Sequence, residues 1–172
     1  ISFGLQSTDD KILKFLGRIH NYSNFTNNYK IARKIKFDNI NVDIIFGIPG
    51  QSVADVKRSV RKIMSLEPDH ISAYNLTIEE GTKISHELKR GSFSPIPEYQ
   101  EEEMYHLIID LLKNKYNHYE ISNFAIKGKE CIHNKIYWNN NEYLGIGASA
   151  CSKMGSYRFE NCRDYNEYIR LI

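Results

Sequence analysis

The sequence has 172 residues, enough for one domain with a real core, and its 41% hydrophobic and 12% aromatic content excludes a disordered or fibrous chain. Lys and Arg number 23 against 21 Asp and Glu, and a net charge of +2 excludes the strong field that nucleic acid or an anionic membrane would need. No apolar run approaches the roughly 20 residues that cross a bilayer and the first residues carry no signal-peptide pattern, so a cytoplasmic protein is expected.

Ile1-Ser2-Phe3-Gly4-Leu5 is an apolar run with no initiator Met, polar leader or turn residue ahead of it, which predicts that the chain opens in mid-strand and continues an upstream part. Ser7-Thr8-Asp9-Asp10 supplies helix-starting side chains, and Ile12, Leu13 and Leu16 carry the first helix to about Arg18. A second helix, from near Ser23 to about Asp38, shows Phe25, Tyr29, Ala32 and Ile35 on one face. The strand Val42 to Phe46 breaks at Gly47-Ile48-Pro49-Gly50-Gln51 and leads into a helix from Ser52 to about Leu66. Lys57, Arg58, Arg61 and Lys62 form that helix's solvated face, opposite Val53, Val56, Val60, Ile63 and Met64.

Ile71 to Leu76 reads as the next strand, Thr82 to Arg90 as a helix, and Tyr99 to Lys115 as the clearest helix in the chain, with an acidic first turn that suits the helix dipole. Tyr116 to Ile121 reads as a further strand. This alternation predicts an α/β fold with a parallel sheet, either open and doubly wound or part of a β/α barrel. Beyond Phe124 the pattern becomes loop-like, followed by the run Gly145-Ile146-Gly147-Ala148, a hairpin around Gly155 and a helix from Asp164. Residues 1–124 are therefore taken as the β/α part and 125–172 as a fold edge with the start of an accessory region.

Cys131, Cys151 and Cys162 are separated by 19 and 10 residues, a spacing that fits neither a zinc knuckle nor a cluster-binding triplet. Free thiols in a reducing compartment are expected.

Ligands of parallel β/α folds sit at the carboxyl ends of the strands, which singles out Gln6-Ser7, Asp43 with the Gly47 to Gln51 loop, and Asn75 with Thr77. Asp43 interrupts an apolar strand, where a carboxylate is costly unless it is paired or bound to a ligand. A structural pairing with Arg18 or nearby backbone is the competing reading, and Arg18 is also explained by its place at a helix C-terminus. Cys131 to Trp138 brings together a thiol, His133 and the single tryptophan, a set that could grip a flat aromatic ligand and offer an axial nitrogen, or serve only as structure. The glycine run at 145–148 is weak as a dinucleotide fingerprint.

Ser2-Phe3-Gly4-Leu5-Gln6-Ser7, Leu16-Gly17-Arg18-Ile19-His20, Asn41 to Gln51 and Glu67-Pro68-Asp69-His70-Ile71-Ser72, in this order over nearly the whole chain, resemble the radical S-adenosylmethionine family of oxygen-independent coproporphyrinogen III oxidase and its haem-chaperone relative. Tyr74 to Thr82 and the motif His133-Asn134-x-x-Tyr137-Trp138 resemble the haem-chaperone branch more than the oxidase branch.

The resemblance implies part of a partial, TIM-like β/α barrel that binds S-adenosylmethionine on a [4Fe–4S] cluster, the cluster being held by a CxxxCxxC loop in an N-terminal part upstream of this sequence. It implies that Gln6, Arg18, Asp43 and Thr77 contact S-adenosylmethionine and that His133, Asn134, Tyr137 and Trp138 serve haem, with His133 as a ligand to haem iron. No residue of this stretch is implied to be catalytic, and alone it is expected to be inactive. The implied partners are haem or porphyrin and haem-receiving respiratory proteins, with room for peripheral association of the parent with a membrane; nucleic acid is not among them. The family's glycine run reads on into His-Ser, whereas here Ala150 is followed by Cys151-Ser152, and Cys151 is expected as a small buried thiol. Two other functions stay open at this level: oxidative decarboxylation of coproporphyrinogen, and a non-catalytic interaction module.

Overall fold

Short polar side chains set the helix starts in the computed structural model, which describes residues 1–172 and separates into two units, Ile1–Glu130 and Cys131–Ile172. In the first unit, β1 (Ser2–Gln6) leads to α1 (Asp10–Phe15), whose N-cap Asp9 accepts from the Lys11 amide. Helix α2 (Tyr22–Lys34) starts with a reciprocal capping box between Asn21 and Asn24, and α3 (Val53–Met64) with one between Ser52 and Asp55. Strand β2 (Asn41–Phe46) lies between α2 and α3, and β3 (His70–Asn75) follows α3. Next come α4 (Lys83–Lys89), capped by Thr82, and α5 (Glu98–Leu112), entered through Pro97. The unit's sheet ends with β4 (Asn117–His118) and β5 (Asn123–Ala125).

The sheet order is β1-β2-β3-β5-β4, with the first three strands parallel. Three consecutive parallel strands laid side by side in chain order fit the wall of a β/α barrel. Alternation along the strands divides the sheet into two faces. Leu5, Val42, Ile44, Phe46, Ile71, Ala73 and Phe124 are buried in one core with Phe25 and Tyr29 of α2, Val56, Val60 and Ile63 of α3, and Met104, Ile108 and Leu112 of α5. Each fully buried aliphatic or Phe side chain there contributes about 1.5–3 kcal/mol. The opposite face carries Ser2, Gly4, Asn41, Asp43, His70 and Ser72.

The segment Tyr116 to Ile121 is not the parallel strand that its residues suggest. Only Asn117 and His118 pair, and they pair antiparallel with β5, which is itself antiparallel to β3 and lies between β3 and β4. Two anchors account for the early stop: the buried Tyr116 hydroxyl donates to the Pro68 carbonyl at 2.9 Å, and Tyr119 turns to meet His70.

The second unit holds α6 (Ile132–Trp138), the hairpin β6 (Cys151–Met154) and β7 (Tyr157–Glu160), and α7 (Tyr165–Leu171). The hairpin turns at Gly155, as expected. The loop-like reading beyond Phe124 is corrected by α6, a two-turn helix that buries none of its side chains and so lacks the apolar stripe that betrays a helix in sequence. Cys151 is also corrected: its side chain is exposed, while its backbone packs against Gly145 so closely that a Cβ on that glycine would collide with the Cys151 carbonyl.

Candidate functional site: a polar sheet face and an exposed aromatic helix

Gln6 ends β1 in an uncommon conformation. Its φ is +69°, the Ser7 amide donates to the Leu5 carbonyl at 2.9 Å across it, and the β1–β2 register slips by one residue between Gly4 and Gln6. A non-glycine residue at the centre of such a turn is strained, and strain of this kind persists where a side chain must be aimed. The aim is legible at Gly4: a Cβ there would stand 2.8 Å from the Gln6 Nε2 atom, so the Gln6 amide lies over the bare glycine. Gly4 pairs in register with Asp43, which places the amide and the carboxylate on neighbouring strands.

Asp43 does not pair with Arg18. Its Oδ2 accepts from the Ser2 hydroxyl at 2.8 Å and its Oδ1 from the Asn41 amide nitrogen at 2.7 Å. Asn41 Nδ2 also donates to Ser2 Oγ at 2.8 Å, while Asn41 Oδ1 accepts from Ser72 Oγ at 3.1 Å and lies 2.7 Å from His70 Nδ1. An amide oxygen can only accept, so His70 carries its proton on Nδ1, and Nε2, 2.7 Å from the Tyr119 hydroxyl, accepts from it in the neutral ring. Burial pushes the His70 pKa down, against the opposing pull of Asp43, Glu120 and Glu130.

Arg18 is exposed just after α1, and Thr77 is exposed just after β3. Nearby, His20 Nε2 lies 3.2 Å from the Leu5 carbonyl and ties the chain after α1 to the end of β1. The loop after β2 is close-packed: Gly47, at φ +75°, is covered by the Asn75 side chain, which would collide with any Cβ there. Asn75 is held in turn by a 2.9 Å bond to Glu101.

The four residues expected to serve haem lie on α6 in the second unit. His133 and Tyr137, four residues apart, meet edge to face with ring centroids 4.7 Å apart, and Tyr137 meets Tyr143 in the same way at 4.4 Å. His133, Tyr137 and Trp138 are exposed and Asn134 is half-buried. None of the three cysteines is in a disulfide, and no group of three or more His, Cys, Asp or Glu side chains is arranged to hold a metal ion.

Sequence reasoning found Gln6 and Asp43 but not Asn41, His70, Ser72 or Tyr119. The available signal was the alternation of Asn41 with Asp43 and of His70 with Ser72, two polar pairs at strand spacing.

Residues 1–63 match the model of the Radical SAM superfamily. The chain is 37% identical over 173 residues to the heme chaperone HemW of Bacillus subtilis, covering 100% of this chain and 46% of that protein. It is 36% identical over 152 residues to the mouse protein called radical S-adenosyl methionine domain-containing protein 1, mitochondrial, covering 87% of this chain and 34% of that one. Among solved structures, the coproporphyrinogen III oxidase HemN of Escherichia coli superposes with a TM-score of 0.76 over 99% of this chain and 42% of that chain, at 19% identity, a likeness of fold. The chain thus spans less than half the length of these relatives. The sheet and the matched segment are those of the radical SAM superfamily. Over its whole length the chain is similar to the HemW/HemN-like proteins within it.

Proposed function

We propose that the protein containing this chain is a haem chaperone of the radical SAM type, which binds S-adenosylmethionine and haem and passes haem to respiratory proteins. Residues 1–124 would supply part of the barrel wall, and residues 125–172 its edge and the start of an accessory region. A cytoplasmic location accords with three cysteines outside any disulfide.

S-adenosylmethionine fits the polar sheet face on chemical grounds. Gln6 is aimed over a glycine that leaves room for it, and Asp43 offers acceptors for the ligand's ammonium or hydroxyl groups. Arg18, exposed just after α1, can pair with the methionine carboxylate, and Thr77 would contribute through backbone or packing. When bound, the [4Fe–4S] cluster supplies the electron that cleaves the sulfonium; in this reading its cysteines lie upstream of residue 1.

The observation that carries the haem reading is α6, where an exposed imidazole meets the Tyr137 ring at nearly a right angle and the next residue is the exposed Trp138. Aromatic faces that bind a macrocycle beside a nitrogen that can ligate iron are the parts a haem site needs. The test is haem titration of the full-length protein, read in the Soret band. His133→Ala should weaken haem binding by about tenfold or more, the scale of losing one strong directional contact. Unchanged haem affinity in His133→Ala would place the site elsewhere. Anaerobic turnover of coproporphyrinogen by the full-length protein would favour an oxidase instead.

A further inference from the structure

We propose that Asn41 and His70 are positioning residues for the S-adenosylmethionine site, holding the Asp43 carboxylate in one orientation through a hydrogen-bonded chain that starts at Tyr119. The inference rests on the reading that Asp43 contacts the ligand.

A carboxylate on a half-exposed strand face can turn about two bonds, and a ligand that needs it in one orientation must stop that motion. Here the motion is already stopped. A carboxylate offers about four acceptor sites. Ser2 takes one on Oδ2 and Asn41 one on Oδ1, which leaves a further acceptor site on each oxygen for a ligand donor.

Asn41 can do this only if its own amide faces the right way. Reversed, it would turn its carbonyl oxygen toward the Asp43 carboxylate, losing that bond and setting two acceptors together. In the observed orientation Asn41 Oδ1 accepts from the Ser72 hydroxyl and from the His70 Nδ1–H tautomer, which completes the pairing at its other end. His70 is itself kept from rotating by the Tyr119 hydroxyl at its other nitrogen.

The Asn41–Asp43 bond runs along β2 and the Tyr119–His70 bond reaches in from beyond β4, while the remaining links cross strand boundaries that the register fixes: Ser2 faces Asn41, Asn41 faces His70, and Asp43 faces Ser72. The arrangement matches the way outer groups orient the ligands of a metal or a catalytic base, where the partners of the contacting residue set its aim. Burial of His70 favours the neutral ring, whose Nε2 accepts from the Tyr119 hydroxyl.

The experiment uses the full-length protein carrying its cluster, with S-adenosylmethionine affinity measured by anaerobic equilibrium dialysis and thermal midpoints recorded for each variant. Asp43→Ala should lose about tenfold or more in affinity, and Asn41→Leu and His70→Leu about three- to tenfold, the scale of losing a charge-assisted contact or its alignment. His70→Asn keeps an N–H donor at the Nδ1 position and should stay within about twofold of the parent protein. Placed in the Asp43→Ala background, His70→Leu should cost no further affinity, because a residue that acts through Asp43 has nothing left to act on.

If Asp43→Ala binds normally, the underlying reading of Asp43 falls, and this inference with it. If Asp43→Ala binds weakly while Asn41→Leu and His70→Leu bind normally, the positioning chain alone falls. A loss from His70→Leu that persists undiminished in the Asp43→Ala background also overturns it, since that is the mark of a merely structural residue. Should His70→Leu fail to fold, Ser2→Ala and Ser72→Ala remove one hydroxyl each from the same chain, and normal affinity in both would overturn the proposal.

Discussion

The two units are stabilised by different means. Every buried hydrophobic residue lies in Ile1–Glu130, from Leu5 to Ala125, whereas in Cys131–Ile172 the one buried residue is Ser152. Neither α6 nor α7 buries a side chain. The second unit is instead laced by polar bonds to backbone: the Gly145 amide donates to Ser152 Oγ at 2.9 Å, Asn161 Nδ2 reaches the carbonyls of Gly145 and Gly147 at 3.2 and 2.9 Å, and the Gly147 amide donates to the Tyr168 hydroxyl at 3.0 Å. The polar face with Asp43 thus stands on a scaffold held by buried area, while the aromatic helix belongs to a unit held by directional bonds. A large buried apolar area resists local opening more than a handful of part-buried polar bonds does, so the two candidate sites differ in rigidity before any ligand arrives.

The largest effect should come from the core of the first unit. Phe124→Ala or Ile63→Ala, each removing a fully buried side chain, should cost about 2–5 kcal/mol, whereas Leu171→Ala, at a position 67% exposed, should change stability by no more than about 0.5 kcal/mol. Urea unfolding of the full-length protein, followed by far-ultraviolet circular dichroism, measures both. Comparable losses at Leu171 and Phe124 would erase the contrast between the units.

A smaller and more local loss should follow Asn161→Ala, which strips a bond from two backbone carbonyls. A cost of about 1–3 kcal/mol is expected, confined to the second unit. Hydrogen exchange reads it by position: amides of β6 and β7 should exchange faster while those of β1, β2 and β3 keep their protection. Acceleration in all of these strands together would mean that the two units open as one.

The same division explains what the sequence could disclose. Helical spacing in Phe25, Tyr29 and Ala32 and in Val56, Val60 and Ile63 announces helices because those faces are in fact buried. Asp43 is legible as an interruption of an apolar strand. Its supporting partners are not, because the contact of Asn41 with His70, 29 residues away, exists only through strand register. His70 follows Pro68-Asp69 and reads as an ordinary strand entrance. Helix α6 is hidden for the opposite reason: it has no buried face, and over seven residues the four-residue spacings of Ile132 with Ile136 and of His133 with Tyr137 are too few to set a period. The antiparallel insertion of β5 turns on three residues, too few for any pattern to carry.

The finest way to sharpen the contrast is through pH, because it acts on one buried group of the first unit. Burial lowers the His70 pKa in the folded protein, while the unfolded chain keeps a histidine near the ordinary value of about 6.5. Between the two values the unfolded state holds more protons, so stability rises with pH across that window. His70 therefore contributes stability that is fully present above about pH 6.5 and is lost as pH falls through its depressed folded value. Protonation also forces Nε2 to donate to the Tyr119 hydroxyl, which must surrender its own bond to the ring. Asp43, Glu120 and Glu130 all favour the charged ring, so Glu120→Gln should depress the His70 pKa further and widen the window. A titration of the His70 ring by nuclear magnetic resonance gives its pKa directly, and urea unfolding at a series of pH values gives the linked stability. His70→Asn should flatten the acid side of that stability profile. The amides of β2 and β3 should be the ones that lose protection at low pH in the parent protein, with β6 and β7 unaffected. An acid slope unchanged in His70→Asn would show that other groups carry the pH dependence, and the buried imidazole would then be neutral ballast on the polar face.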